Sequence, residues 1–272
     1  MWCAANSVTA WRRSPIPCCS RTRGEDNIAA TSSVLSAFRV LEAVADAQPV
    51  GLSELARSVE LPKSTVHRVL LTLQELGWLS ATDSAPARWR LTYRAAAVAG
   101  RAGAADGLRD IARPVMNELQ AATTETVHLA APDGHSLVLI HRLDSPHPLR
   151  AFMALGERFA LHASAAGLAY LSACGEDFTD DYLAAVTDVD PADIRTVLGE
   201  TRRRGYAVSV DEMSSGISSI GAPIVGSAGP VAALSVSGPS SRIGVERFEE
   251  LGAQVRDAAG RISGSMYQRG DG

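Results

Sequence analysis

The chain has 272 residues, enough for one to two domains at about 150 residues each. Its 26 basic and 30 acidic side chains leave a formal charge of −4, which excludes a surface coated in positive charge for nucleic acid or anionic membrane, but not a local basic patch. With 46% hydrophobic and 21% charged residues it can build a packed core, and its one lysine, Lys63, follows Pro62, which excludes the glycine-rich phosphate loop that needs Gly before Lys.

Residues 1–27 contain Cys3, Cys18 and Cys19 but no apolar run of signal-peptide length. They are expected to be a disordered tail, with these thiols and Cys174 unpaired in a reducing compartment. No stretch reaches the ~18 apolar residues of a membrane helix, so a cytoplasmic protein without a membrane partner is expected. From Thr31 the pattern turns helical. Val34, Leu35, Phe38, Leu41 and Ala45 recur at helical spacing and are expected to face inward, up to the stop at Gln48-Pro49. A short helix capped by Ser53 follows, then a tight turn at Glu60-Leu61-Pro62. The next helix starts at Pro62 and is expected to bury Val66, Val69, Leu70, Leu73 and Leu76 before Gly77. Trp78–Ser80 and Arg88–Leu91 read as a β-hairpin wing, with both tryptophans pinning it to the helices.

A connecting helix is expected over 92–105, weakened by Gly103 and Gly107. Beyond it the spacing predicts a helix at 106–122, kinked by Pro114 unless it starts there. Strands follow at 126–131 and 136–142, then helices at 164–174, 178–186 and 191–204. Strands at 207–210, 217–225 and 230–237 and a final helix at 244–263 complete an α+β domain on a largely antiparallel sheet. The domains are thus a winged helix-turn-helix at 28–91, a linker helix at 92–105 and a second domain at 106–265, with a disordered tail at 266–272. Charge divides along the same line. Residues 31–104 carry eight basic against six acidic side chains, and 105–272 carry 14 against 22.

Two helices joined by a tight turn form a helix-turn-helix, whose second helix enters the major groove of DNA. The polar residues at its start, Lys63, Ser64, Thr65, His67 and Arg68, are the candidate readers. Arg68 suits guanine, Ser64 and Thr65 suit base edges or phosphate, and Lys63 suits phosphate. Arg88 and Arg90 on the wing are candidates for the DNA backbone or minor groove. A polar helix start is also what a solvated face looks like. The competing reading is therefore a metabolite-binding protein or enzyme whose winged helix serves protein contacts.

Leu52-Ser53-Glu54-Leu55-Ala56, Leu61–Arg68 and Leu76-Gly77-Trp78-Leu79 together resemble the winged helix-turn-helix of the IclR family of bacterial transcriptional regulators. His162–Gly167 is similar to that family's HAxxAG segment, and Gly205-Tyr206, Asp211-Glu212, Gly216–Pro223 and Ala232–Pro239 to its C-terminal signature. The resemblance covers about residues 31 to 263. It implies a GAF-like α/β effector-binding second domain, with backbone near Ala165 and Ala166 and the side chains of Ser219, Ser235 and Ser237 around the ligand. It also implies a homodimer or tetramer on a pseudo-palindromic double-stranded operator, with a metabolite or organic or aromatic acid as effector. Three positions depart from carboxylate-sensing relatives. Ser209 stands where an acid is frequent, Ser219 where a cysteine is, and Leu168 where a lysine is, which leaves the ligand class open. Strand alternation puts Ser235 and Ser237 on one face. That face is either a pocket wall or solvent.

No HExxH occurs among His67, His128, His135, His141, His147 and His162, and no GxSxG elbow is present. Neither a metal, a cofactor nor a catalytic residue is expected. The reading is a ligand-responsive regulator of transcription rather than an enzyme.

Overall fold

The computed structural model describes residues 31–99 and 104–270. The tail expected at 1–27 lies outside them. The described residues form two compact units that divide between Asp106 and Gly107.

The first unit contains α1 (Ser32–Ala47), β1 (Val50–Gly51), α2 (Leu52–Ser58), α3 (Lys63–Glu75), β2 (Leu79–Ala81), β3 (Arg88–Leu91) and α4 (Tyr93–Ala99). Val40 and Val44 of α1, Leu55 of α2, and Val66 and Leu70 of α3 are fully buried together with Leu79 and Trp89 of the wing. Each such side chain contributes about 1.5–3 kcal/mol by leaving water. The expected inward stripe of α1 is corrected. Val34, Leu35 and Phe38 are exposed, Phe38 at 60%, because the three-helix core meets the later turns of α1. Leu76 is exposed as well, one residue past the end of α3. The cap of α2 is Gly51 rather than Ser53, since the Glu54 carboxylate reaches back to accept from the Gly51 N–H at 3.1 Å. β1 adds a strand that the sequence pattern did not predict, giving a sheet of order β1-β3-β2.

The second unit contains α5 (Ala104–Thr123) from Gly107 onward, β4 (Thr126–Asp133), β5 (Ser136–Leu143), β6 (Arg158–Ala160), α6 (Ala165–Ala173), α7 (Glu176–Ala185), α8 (Pro191–Arg204), β7 (Ala207–Val210), β8 (Ile217–Gly226), β9 (Gly229–Pro239) and α9 (Phe248–Gly270). Pro114 lies inside α5, and α9 runs to Gly270, into the segment expected as a tail. The six strands form one antiparallel sheet of order β6-β5-β4-β9-β8-β7. β6 is the strand the sequence pattern missed; at three residues it is too short to show a period.

Helices cover both faces of the sheet. Val127, Leu129, Ile220, Leu234 and Val236 pack on one face with Met116 of α5 and Leu251 and Val255 of α9. Ala130, Ala207 and Ala233 pack on the other with α6, α7 and α8. α6 is apolar all round and buried from Ala165 to Ser172, as a helix enclosed on every side must be. This layering decides the question left open for Ser235 and Ser237. Their face of β9 is covered, and both serines are buried. The expected α+β class, a helix-turn-helix unit followed by an α/β unit, is what the chain forms.

Candidate functional site

Two places carry candidate function, one in each unit. In the first, α3 starts on Pro62, whose carbonyl accepts from the N–H groups of Thr65 at 2.9 Å and Val66 at 3.1 Å. Val66, Leu70 and Leu73 fix one side of the helix to the core. That orientation turns Lys63, Ser64, His67 and Arg68 outward, while Thr65 is half-buried at the edge. Among the described residues, no hydrogen bond or ion pair engages the side chains of Lys63, Ser64, His67 or Arg68. Leu71, which the sequence reading did not assign, shares this face and is 48% exposed.

The wing arginines differ from each other. Trp89 is buried between them, so Arg88 and Arg90 share the other face of β3. Arg88 donates to the Pro49 carbonyl at 2.9 Å and to the Glu54 carboxylate at 3.2 Å, tying the wing to the start of α2. The Gly51 N–H, followed by the Arg88 charge, holds the Glu54 carboxyl below the usual carboxylate range. Arg90 is exposed and donates to the Ser80 hydroxyl at 3.2 Å. Glu54 was missed as the partner of Arg88 because the two are 34 residues apart in sequence.

In the second unit the strand register builds a row of side-chain oxygens. Thr126 pairs with Ser237, Ser237 with Ser219, and Ser219 with Ser209. One step along the same face lies the row His128, Ser235 and Gly221. A cavity of about 250 Å³ opens over the first row. Ser209, Ser219, Ser237 and His128 form its floor, and Met213, Ser214 and Ile217 its β7–β8 side. Arg150, Ala151, Phe152 and Met153, from the β5–β6 connection, form the remainder. Of the five expected ligand residues, Ser219 and Ser237 line this cavity. Ser235, Ala165 and Ala166 do not; they lie beside it, where α6 meets the sheet. The contact there is tight. A Cβ on Gly221 would come within 2.6 Å of the Ala165 carbonyl and 2.7 Å of the Ala166 nitrogen, so only glycine lets α6 rest there. A shallower depression of about 280 Å³ lies over β5 with Arg109 and His141, away from the hydroxyl row.

The β5–β6 connection is strapped to the sheet through alternate carbonyls. Arg242 donates to Leu149 O at 2.9 Å, Thr126 to Ala151 O at 3.0 Å, and Arg142 to Met153 O. Arg142 also pairs with Asp144 at 2.6 Å and lies 4.1 Å from the centroid of the Phe152 ring. Arg242 is anchored by a bidentate pair with Glu125, at 2.5 and 2.7 Å.

His128 is the residue that sequence reasoning missed. It is 6% exposed. Its Nδ1 is 3.4 Å from Ser237 Oγ, and its Nε2 is buried with no partner among the described residues. Burial, reinforced by the Arg142 charge and opposed by Asp144, pushes its pKa down to about 4, so the ring is neutral at pH 7. The available signal was a lone polar ring in an otherwise apolar strand. Such a pattern does not distinguish a satisfied core histidine from one that faces a cavity.

Comparison with known proteins agrees with this architecture. Residues 33–83 match the IclR helix-turn-helix domain, and residues 104–264 match the bacterial transcriptional regulator IclR C-terminal domain. The HTH-type transcriptional regulator KdgR of Escherichia coli is 33% identical over 244 residues, covering 86% of this chain and 92% of the relative. BhcR of Paracoccus denitrificans is 34% identical over 253 residues, covering 86% and 87%. The crystal structure of Thermotoga maritima IclR superposes with a TM-score of 0.72 at 26% identity, covering 86% of this chain and 98% of that one. An IclR homologue from Microbacterium hydrocarbonoxydans, complexed with 4-hydroxybenzoate, gives 0.71 at 26% identity and the same coverage. No described helix is long and apolar enough to cross a membrane. With both its domain models and relatives above 30% identity in agreement, the chain belongs to the IclR family of bacterial transcriptional regulators.

Proposed function

We propose that α3 reads an operator through Lys63, Ser64, Thr65, His67 and Arg68, and that the cavity over Ser219 and Ser237 receives the small molecule that controls binding. The observation that carries this reading is the outward, unengaged basic and polar side of a helix whose other side is locked into the core. Arg90 adds a wing contact; Arg88 acts first as the wing's anchor to Glu54. The regulator works in the cytoplasm and performs no catalysis itself. The exposed cluster of Val34, Leu35 and Phe38 supports self-association of the DNA-reading units, as expected of a homodimer or tetramer on a pseudo-palindromic site. The Microbacterium homologue's complex with 4-hydroxybenzoate supports a small organic acid as the effector class.

The test is selection of binding sites from random duplex DNA, followed by footprinting and titration. A two-fold symmetric site with half-sites about one helical turn apart is expected. Arg68→Ala should cost about 1–3 kcal/mol and relax one base position, whereas Lys63→Ala should lower the salt slope by about 1 for any sequence. Failure to enrich any sequence would refute operator reading. Unchanged binding by Arg68→Ala would remove that residue's role.

A further inference from the structure

The cavity over the hydroxyl row has a wall that is not part of the sheet. β5 ends at Leu143 and β6 begins at Arg158, and the residues between them form neither helix nor strand. Long irregular connections of this kind are uncommon in compact domains, and binding-site lids are among them. Arg150, Ala151, Phe152 and Met153 of this strap line the cavity together with Met213, Ser214 and Ile217. Between residues 144 and 153 the strap makes no backbone–backbone hydrogen bond among the described residues. Side chains hold it instead. Thr126 and Arg242 donate to the carbonyls of Ala151 and Leu149. Arg142 holds the rest. It pairs with Asp144 at 2.6 Å, its guanidinium carbon is 4.1 Å from the Phe152 ring centroid, and it donates to the Met153 carbonyl.

The two ends of the strap differ. At its start, Pro146 and Pro148 have fixed φ, and buried Ser145 donates to the Thr124 carbonyl at 2.6 Å, so this end is stiff. At its end, the Gly156 N–H donates to the Leu139 carbonyl at 2.8 Å, where the strap rejoins the sheet. Gly156 has a φ of +83°, and a Cβ on it would meet no atom within 4 Å, which suits a hinge. Little apolar surface is buried between the ends. Leu149, Phe152 and Leu155 are exposed, and of residues 146–155 only Ala151 is buried. Thr126 and Arg242 are fixed posts, since Thr126 is fully buried and Arg242 is paired with buried Glu125. Arg142 is half-buried and meets the strap at three points. A segment with few buried apolar contacts and few backbone bonds opens locally at small cost, without unfolding its domain.

We infer that residues 149–155 are the gate of the cavity, and that Arg142 is the positioning residue that holds the gate over the hydroxyl row. The inference rests on the reading of this cavity as the effector site, and it adds how a ligand reaches it. Arg142 does not line the cavity, so it acts through the strap and not on an occupant. Its release from the Met153 carbonyl and the Phe152 ring frees the part of the strap next to Gly156. Leu149 and Ala151 stay on their posts, so the strap swings from its Gly156 end and returns to the same place.

The test puts a thiol on the cavity floor and times its capture, so it needs no effector. Full-length protein carrying Ser219→Cys is treated with N-phenylmaleimide, a neutral reagent, and modification of each cysteine peptide is followed by mass spectrometry. Cys174, half-buried at the end of α6, is the internal control for general loosening. Adding Arg142→Gln removes a charge-assisted hydrogen bond and should raise the capture rate at position 219 about tenfold or more, with a change at Cys174 below about twofold. Loss of a nearby cation by itself disfavours the reactive thiolate, so electrostatics alone would slow the capture. Arg142→Lys keeps the charge and should give an intermediate rate. Phe152→Leu, at an exposed position, removes the ring contact but keeps the bulk, and should give about a threefold rise. Should Arg142→Gln fail to fold, Arg142→Lys and Phe152→Leu decide. Capture at position 219 that none of these variants accelerates overturns the inference. Equal acceleration at Cys174 also overturns it, because the loosening is then general. Neither result depends on whether an effector binds, so the gate can fail while the sensor reading stands, and the reverse.

Discussion

The buried, neutral His128 makes stability depend on pH in a window that few other groups occupy. An exposed imidazole protonates near pH 6.5, as it does in the unfolded chain, whereas His128 in the folded chain protonates only at about 4. Between these values the unfolded state binds more protons, so acid favours unfolding. The stabilisation is complete above pH 6.5 and is lost as the pH falls toward 4. Linkage puts the loss at about 2 kcal/mol between pH 7 and pH 5, and at about 3 kcal/mol by pH 4. Glu54 and Glu118 are held below the ordinary carboxylate range, by the Gly51 N–H and by Arg261 respectively. His141 is displaced in the same direction as His128, by burial and then by Arg109 and Arg113. Comparison with a variant that retains His141 therefore isolates His128. Urea unfolding of wild type and His128→Gln at pH 7, 6 and 5 is the assay. Wild type should lose about 2 kcal/mol more than the variant over that range. Parallel pH dependences, or an imidazole resonance of His128 that titrates near 6.5, would refute the reasoning.

Other perturbations test separate parts of the molecule. Gly221→Ala forces a methyl group into the backbone of Ala165 and Ala166 and should cost about 1–3 kcal/mol by overpacking; an unchanged melting temperature would show that α6 can yield there. Arg242→Ala leaves the Glu125 carboxylate, whose side chain is 1% exposed, without its partner. Because Arg242 itself is 27% exposed, the low end of the cost of breaking a buried pair, about 3 kcal/mol, is expected, and Arg242→Ala with Glu125→Gln should recover part of it. A loss below about 1 kcal/mol in chemical denaturation would show that water replaces the arginine. Leu71 lies at the i+7 position from Ser64, with His67 and Arg68 between them at i+3 and i+4, which is the spacing by which one helix face meets successive base edges. Replacing one thymine of the selected site by uracil, which deletes only a methyl group, should weaken wild-type binding about fourfold and Leu71→Ala binding not at all. Indifference of wild type to uracil at every position would exclude a thymine contact by Leu71.

The reading surface of α3 was legible in sequence because its logic is local. Val66, Leu70 and Leu73 recur at helical spacing, so the side they leave free follows from the chain itself, and Lys63, Ser64, His67 and Arg68 are on it. The inward assignment of Val34, Leu35 and Phe38 failed for a complementary reason. Periodicity identifies a stripe but not where along the helix its neighbours end. The cavity was legible only in part. Alternation placed Ser235 and Ser237 on one face, and the family resemblance pointed to Ser219; neither shows which of these serines lies beneath α6 and which lies in the open cavity.

What the sequence determined by itself was therefore the family, the order of the longer elements, and the exposed side of α3. These depend on interactions a few residues apart, or on motifs read in register. Tertiary structure decided the rest. It brought Ser209, Ser219 and Ser237 into one row from three strands, and it set Arg150 over them on a strap held by Arg142, Thr126 and Arg242. It also buried His128 beside the cavity with one ring nitrogen that has no partner among the described residues. A histidine in a strand has the same letters around it whether its ring meets core or cavity. Only the packing of distant segments, which excludes water from one side of the ring and supplies no partner on the other, separates the two.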